Sequence, residues 1–179
     1  MTSQKLANQI ELSLFAALIF ISVELLRIPV GPQFIHLGNA LVVIAVLLYG
    51  SKKGALVATI GLGIFDVMNG YAAVVWITIL ESLIICYLLH LFYEKWLQSN
   101  DKTSNIISVG IIAAVAKLLI NLIKYTLIGY LGGNLPVQIA LATAIGKIGG
   151  SFGSSLATAI AVPILYPIFK QLKRRRAFK

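Results

Sequence analysis

The stretch AAVVWITILESLIICYLLHLFY, residues 72–93, decides the fold. Glu81 is its one carboxylate and His90 its one imidazole; otherwise its faces are apolar or carry small hydroxyls. As a helix it would run about 33 Å at 1.5 Å per residue, which matches the hydrocarbon thickness of a bilayer. A barrel strand would alternate apolar and polar residues, and neither Leu83–Leu89 nor Leu41–Leu48 does so. Membrane-spanning helices are therefore expected.

Outward from this span, hydropathy and turn residues mark five more. The six expected spans are Leu12–Leu26, Phe34–Tyr49, Gly54–Met68, Ala72–Tyr93, Ile106–Tyr130 and Val137–Phe169. Pro29, Gly31 and Pro32 break the chain after the first, Gly50–Gly54 forms a polar turn, and Asn69-Gly70 forms another. Gln98–Asn105 is a polar loop, and Gly132-Gly133-Asn134-Leu135-Pro136 precedes the sixth span, which Pro163 and Pro167 are expected to kink. The expected architecture is an all-α membrane protein, a bundle of six transmembrane helices forming a single domain over residues 1–179.

Composition agrees. Apolar residues make up 59% of the chain and charged residues 12%, too little polar surface to clothe a water-exposed domain of this size. The net charge of +9 sits at span ends and in the tail Lys170–Arg176, so anionic lipid headgroups are the expected partner and nucleic acid is not. With the N-terminus cytoplasmic, eleven of the fifteen Lys and Arg face inward and only Arg27 faces outward, which predicts both termini inside the cell membrane. Glu24 and Arg27 close the first segment without a small-residue cleavage site, so it reads as retained. Cys86 lies in an apolar run and reads as a packing residue.

Ionisable groups at membrane depth cost roughly 2.5–3.5 kcal/mol each on insertion scales, so each needs a partner, a cavity or a task. Glu24, Asp66 and Glu81 are matched by Lys117, Lys124 and Lys147. Thr78, Glu81 and Ser82 share one face of the fourth span, Lys117, Asn121 and Lys124 one face of the fifth, and Thr143, Lys147, Ser151, Ser154 and Thr158 one face of the sixth. Their convergence predicts a cavity open to the outside and lined by Glu81, Lys124 and Lys147, with Lys117, nearer the cytoplasm, holding the bundle together. The plainer alternative is that Glu81 pairs with a lysine for structural reasons alone. Trp76 and Tyr125 lie deep enough to stack on a flat heterocycle; both, like Tyr71 and Tyr130, equally fit an interfacial belt. His36 reads as a surface residue, since no metal ligand lies at a suitable spacing around it.

Small residues form another pattern. Gly54, Ala58 and Gly61 on the third span, with Ser13 and Ala17 on the first, make faces for close helix approach, either within the chain or against a protein partner. No phosphate-binding loop, zinc-protease motif, nucleophile elbow or paired-cysteine metal site occurs, so the chain is not expected to be an enzyme or to hold a cofactor.

The segment Ile35-His36-Leu37-Gly38-Asn39, the turn Tyr49-Gly50-Ser51-Lys52-Lys53-Gly54-Ala55 and the run Gly61–Asp66 resemble the substrate-binding S components of energy-coupling factor (ECF) vitamin transporters. The likeness is to the riboflavin-type group, and within it to members assigned to hydroxymethylpyrimidine or pyridoxine. The resemblance implies an ATP-driven importer in which two ATPase subunits and a transmembrane coupling subunit energise this chain. It implies that helices one to three face the coupling subunit, and that helices four to six with loops one, three and five form the outward vitamin site. It extends the binding hypothesis to Asn39 beside Glu81, Lys124 and Lys147. An Ala-x-x-x-Ala motif on the first helix is implied at the coupling face, where this chain has Ser13 in the first place and Ala17 in the second. The rival reading is an autonomous proton-coupled carrier or channel with Asp66 and Glu81 as relay carboxylates.

Overall fold

The computed structural model describes residues 3–31 and 33–177; Pro32 and Lys179 therefore lie outside the described residues. Among these the chain is all-α apart from one small hairpin, with seven helices. Helix α1 (Ser3–Leu25) leads to the antiparallel hairpin β1 (Ile28–Val30) and β2 (Gln33–Ile35), followed by α2 (Gly38–Tyr49) and α3 (Ser51–Met68). Then come α4 (Val75–Leu89), α5 (Thr103–Leu127), α6 (Val137–Lys147) and α7 (Gly149–Ala177). A short 3₁₀ turn, Ala72–Val74, introduces α4, and wider π-helical turns extend α4 to Trp96 and α5 to Gly132.

Four of these helical segments are long and apolar enough to cross a membrane: Lys5–Leu25, Ala72–Trp96, Thr103–Gly132 and Gly149–Arg175. Their outer faces carry exposed Leu, Ile and Val, including Leu80, Ile111, Leu119 and Ile160. Helix α2 differs. Nine of its residues are buried, Gly38 and the run Ala40–Leu47, because α1, α3, α4, α5 and α7 all pack around it. A helix enclosed on every side needs no polar face, which is why its sequence is apolar from Ala40 to Leu48.

Two expectations are corrected. The sixth span, Val137–Phe169, is two helices broken at Ile148, because Gly146, Gly149 and Gly150 flank that point and each glycine weakens a helix interior by about 1 kcal/mol. Hydropathy runs straight through the break and cannot report it. The second span begins at Gly38, not Phe34, since Phe34 and Ile35 belong to β2. Pro29 forbids helical geometry at Ile28 and ends the first helical region, and β1 then pairs with β2 in the register Ile28 with Ile35.

The hairpin lies on the first turns of α7, where glycine gives it room. A Cβ added at Gly153 would stand 2.3 Å from Ile35 Cδ1, and one at Gly150 would stand 2.6 Å from Gln33 Cβ. Hydrogen bonds complete the seam: the Ser151 amide and hydroxyl donate to Gln33 Oε1 at 2.6 and 2.9 Å, the His36 amide donates to Ser154 Oγ at 3.1 Å, and Ser154 Oγ donates to the Phe34 carbonyl at 3.0 Å. At the other end of the bundle Glu94 accepts the Ser51 amide at 2.5 Å, so a carboxylate from the end of α4 sits at the positive N-terminus of α3.

Gly54, Ala58 and Gly61 are spent within the chain. Gly54 backs onto Val46 of α2, Ala58 is fully buried, and a Cβ at Gly61 would lie 2.7 Å from the Ala16 carbonyl oxygen and 2.9 Å from Ile19. The variant Gly61→Val should thus push α1 from α3 and lower stability by about 1–3 kcal/mol, seen as a lower melting temperature in detergent. Gly63→Ala, whose methyl would meet Ile79 and Val75 at an unstrained 3.9 Å, should melt no lower than the parent.

Candidate functional site

Beneath the hairpin, between α1 to α5 and α7, lies a cavity of about 200 Å³. Its chemistry begins with Glu81, which α4 places in the interior at 6% exposure. An ionised carboxylate so deeply buried requires cations, and α5 supplies two from one face. Lys117 Nζ donates to Glu81 Oε2 at 2.5 Å, and Lys124 Nζ lies 2.7 Å from Oε1. Asn121, between them on the same face, is anchored by donating its amide to the Lys117 carbonyl at 3.2 Å and also lines the cavity. Lys124 further rests over the Tyr125 ring, 4.9 Å from its centroid.

The remaining walls come from elsewhere in the chain. Helix α2 contributes Asn39, α3 contributes Leu62, Phe65 and Asp66, α1 contributes Val23, and α7 contributes Ser151 and Ser154. Gln33, Phe34 and His36 come from the hairpin and the residue after it, and Tyr71 and Val74 from the α3–α4 connection. The lining thus has two carboxylates and two lysines, a balanced set when His36 is neutral. Three of its aromatic rings cluster: Phe65 and Tyr71 stack with centroids 6.4 Å apart, and Phe34 meets Tyr71 edge-on at 6.5 Å.

The side of the cavity next to the hairpin is fastened by Arg27. Its guanidinium lies 5.2 Å from the Phe34 centroid and 5.1 Å from that of Phe65, joining the hairpin to α3 by cation–π contact. Arg27 also donates to Asn69 Oδ1 at 2.9 Å, and Asn69 donates to Glu24 Oε2 at 2.7 Å. These groups close over the aromatic cluster. His36 Nδ1 accepts the Gly38 amide at 3.1 Å, which puts the hydrogen of a neutral ring on Nε2.

Of the residues proposed for binding from sequence, Asn39, Glu81, Lys124 and Tyr125 surround this cavity. Trp76 and Lys147 do not. Trp76 precedes Thr78 by two residues, about 200° around the helix, and is 62% exposed. Lys147 ends α6, whose buried residues are Ala140 and Ala144, and the break at Ile148 separates it from Ser151 and Ser154. Lys117, read from sequence as structural, both pairs with Glu81 and lines the cavity; its place on the face of Asn121 and Lys124 was the available signal. His36, Asp66 and Tyr71 also belong to the wall, and long-range folding of the hairpin and of the α3–α4 connection brings them there. Of the residues proposed for a partner face, Ser13 and Ala17 remain exposed along a groove between α1 and α3, together with Leu56, Ile60 and Ile64.

The family model described as ECF-type riboflavin transporter, S component, matches residues 4–174. No curated protein and no solved structure matches the chain significantly.

The charge cluster makes a testable claim. Glu81→Ala would leave two half-buried ammonium groups without their carboxylate and should lower stability by up to about 3 kcal/mol. Glu81→Leu combined with Lys117→Met, which keeps Lys124 as the one remaining cation, should recover part of that loss in detergent melts. Equal destabilisation of the single and the double variant would show that the pair is not coupled.

Proposed function

The chain belongs to the family of ECF-type riboflavin transporter S components, and from that premise we propose that its cavity captures a small vitamin or vitamin precursor, with hydroxymethylpyrimidine or pyridoxine favoured. S components are multi-pass membrane subunits that bind substrate for transport, are not enzymes, and pair with an energising module. Glu81, held in the interior by Lys117 and Lys124 at the cavity wall, carries the proposal. A charged triad at that depth is expensive as mere scaffolding and useful as a preorganised set of donors.

Size and charge favour a single-ring ligand. About 200 Å³ is below the roughly 300–1,000 Å³ of sites for drug-sized molecules, which suits a pyridine or pyrimidine better than a three-ring flavin. Both lysines are committed to Glu81, so a strongly anionic vitamin would find no unpaired ammonium group. The rings of Phe34, Phe65, Tyr71 and Tyr125 offer apolar faces to a flat heterocycle.

The working protein on this reading is a single domain of six crossings with both termini cytoplasmic. It delivers its ligand inward with a coupling subunit and two ATPases. The groove beside Ser13 and Ala17, about 460 Å³ and walled by Leu56, Ile60 and Ile64, is the surface offered to the coupling subunit. An autonomous proton-coupled carrier using Asp66 and Glu81 fits less well, because a carboxylate gripped by two lysines is a poor proton relay.

Isothermal titration of the detergent-purified protein with hydroxymethylpyrimidine, pyridoxine, riboflavin and pantothenate tests the reading. Binding of one of the first two is expected, and no binding of any vitamin would overturn it. Glu81→Gln and Lys124→Met should each weaken binding at least tenfold, the scale of a lost charge-assisted contact of about 1.5–3 kcal/mol.

A further inference from the structure

Two carboxylate oxygens of the cavity lack a hydrogen-bond partner, Glu81 Oε1 and Asp66 Oδ2; Glu81 Oε1 has the Lys124 ammonium at 2.7 Å, whereas among the described residues no cation pairs with Asp66. Asp66 lies in the last turn of α3 at 7% exposure and lines the cavity. Thr78 hydrogen-bonds its carboxyl group, yet Oδ2 is buried and has no hydrogen-bond partner. Both lysines of the cavity are taken by Glu81, at 2.5 and 2.7 Å, and the Arg27 guanidinium is turned to Asn69 and to the rings of Phe34 and Phe65. Among the described residues nothing else is placed to satisfy that oxygen. Leaving a buried carboxylate oxygen unpaired is unfavourable, and the penalty disappears when an incoming molecule donates to it.

The rest of the wall limits what such a molecule can be. Gln33 Oε1 already accepts two hydrogen bonds from Ser151, and the Asn121 amide donates within α5, so these groups are fixed before a ligand arrives. His36 lines the cavity, and because its Nδ1 accepts the Gly38 amide, a neutral ring carries its hydrogen on Nε2 as a donor. A ligand carboxylate next to Asp66 would set two anions together in a site whose cations are already neutralised.

Resting on the S-component reading of this cavity, we propose that Asp66 is a specificity-determining residue. It accepts a nitrogen-borne hydrogen from the ligand, so the substrate class is a small nitrogen heterocycle presenting an exocyclic amino group or a protonated ring nitrogen. Carboxylated vitamins are rejected by the same oxygen that rewards an N–H donor.

The test is a double cycle of protein and ligand, read by isothermal titration. The probes are 4-amino-5-hydroxymethyl-2-methylpyrimidine and its analogue with hydrogen in place of the amino group, and pyridoxine and its analogue with ring CH in place of the nitrogen. In the series that the parent protein binds, loss of the nitrogen donor should weaken binding at least tenfold in the parent and less than threefold in Asp66→Asn. Should Asp66→Asn fail to fold, the parent's response to the analogues decides alone. Equal affinity of the parent for a probe and its analogue would overturn the proposal and leave the S-component reading intact. So would binding of riboflavin or pantothenate with neither heterocycle series recognised. Binding of no vitamin at all would overturn both.

Discussion

Burying a carboxylate among membrane helices is tolerable only when cations approach it closely and from fixed directions. Glu81 satisfies this with two lysines from a single helix, and their spacing is set by helical geometry: seven residues bring Lys117 and Lys124 back to one face. The arrangement orients α4 against α5, because rotating either helix would separate charges that have no other partners at that depth. It also makes the cavity wall polar. The same ion pairs thus define which way two helices face and what kind of molecule can lie between them.

The hairpin adds a further wall to that one. Three helices with polar faces would leave an open cleft; here β2 and His36 close it because α7 begins with glycine and serine. Gly150 and Gly153 let the hairpin backbone approach, and Ser151 and Ser154 hold it by hydrogen bonds. The serines that continue the polar face of the last helix therefore serve two ends, lining the cavity and anchoring its cover. Contacts of this kind are fewer and more polar than those around α2, which has an apolar neighbour on every side.

Hydropathy and charge made the helices and two of the three converging polar faces readable, because period and apolarity act locally. Lys117, Asn121 and Lys124 fall on one face through spacing alone, and Thr78 with Glu81 likewise. Tertiary events were not readable. The break at Ile148 leaves mean hydropathy unchanged while turning Lys147 away; Trp76, by contrast, is excluded by helical spacing alone, since it lies about 200° around α4 from Thr78. His36 read as a surface residue because its partners, Gly38 and Ser154, include one 118 positions along the chain. Gly54 and Gly61 signalled close approach correctly; which helix approaches is decided by α1 and α2 folding back onto α3.

A capture subunit has to bind firmly and later let go, and the division of polar groups in the cavity fits that demand. The Glu81 triad has its ion pairs in place without ligand, so it brings rigidity, shape and already oriented donors to the site. Asp66 Oδ2 has neither a hydrogen bond nor an ion pair without ligand, so it adds a gain that appears only on binding, next to the aromatic faces. Affinity built on one unsatisfied acceptor is lost when the ligand shifts by a bond length, whereas affinity spread across the triad would require the bundle itself to come apart. Phe65 belongs to the same helix turn as Asp66 and is held by Arg27 to the hairpin through Phe34. The wall next to that acceptor is thus tied to the hairpin, whereas the ion pairs tie α4 to α5.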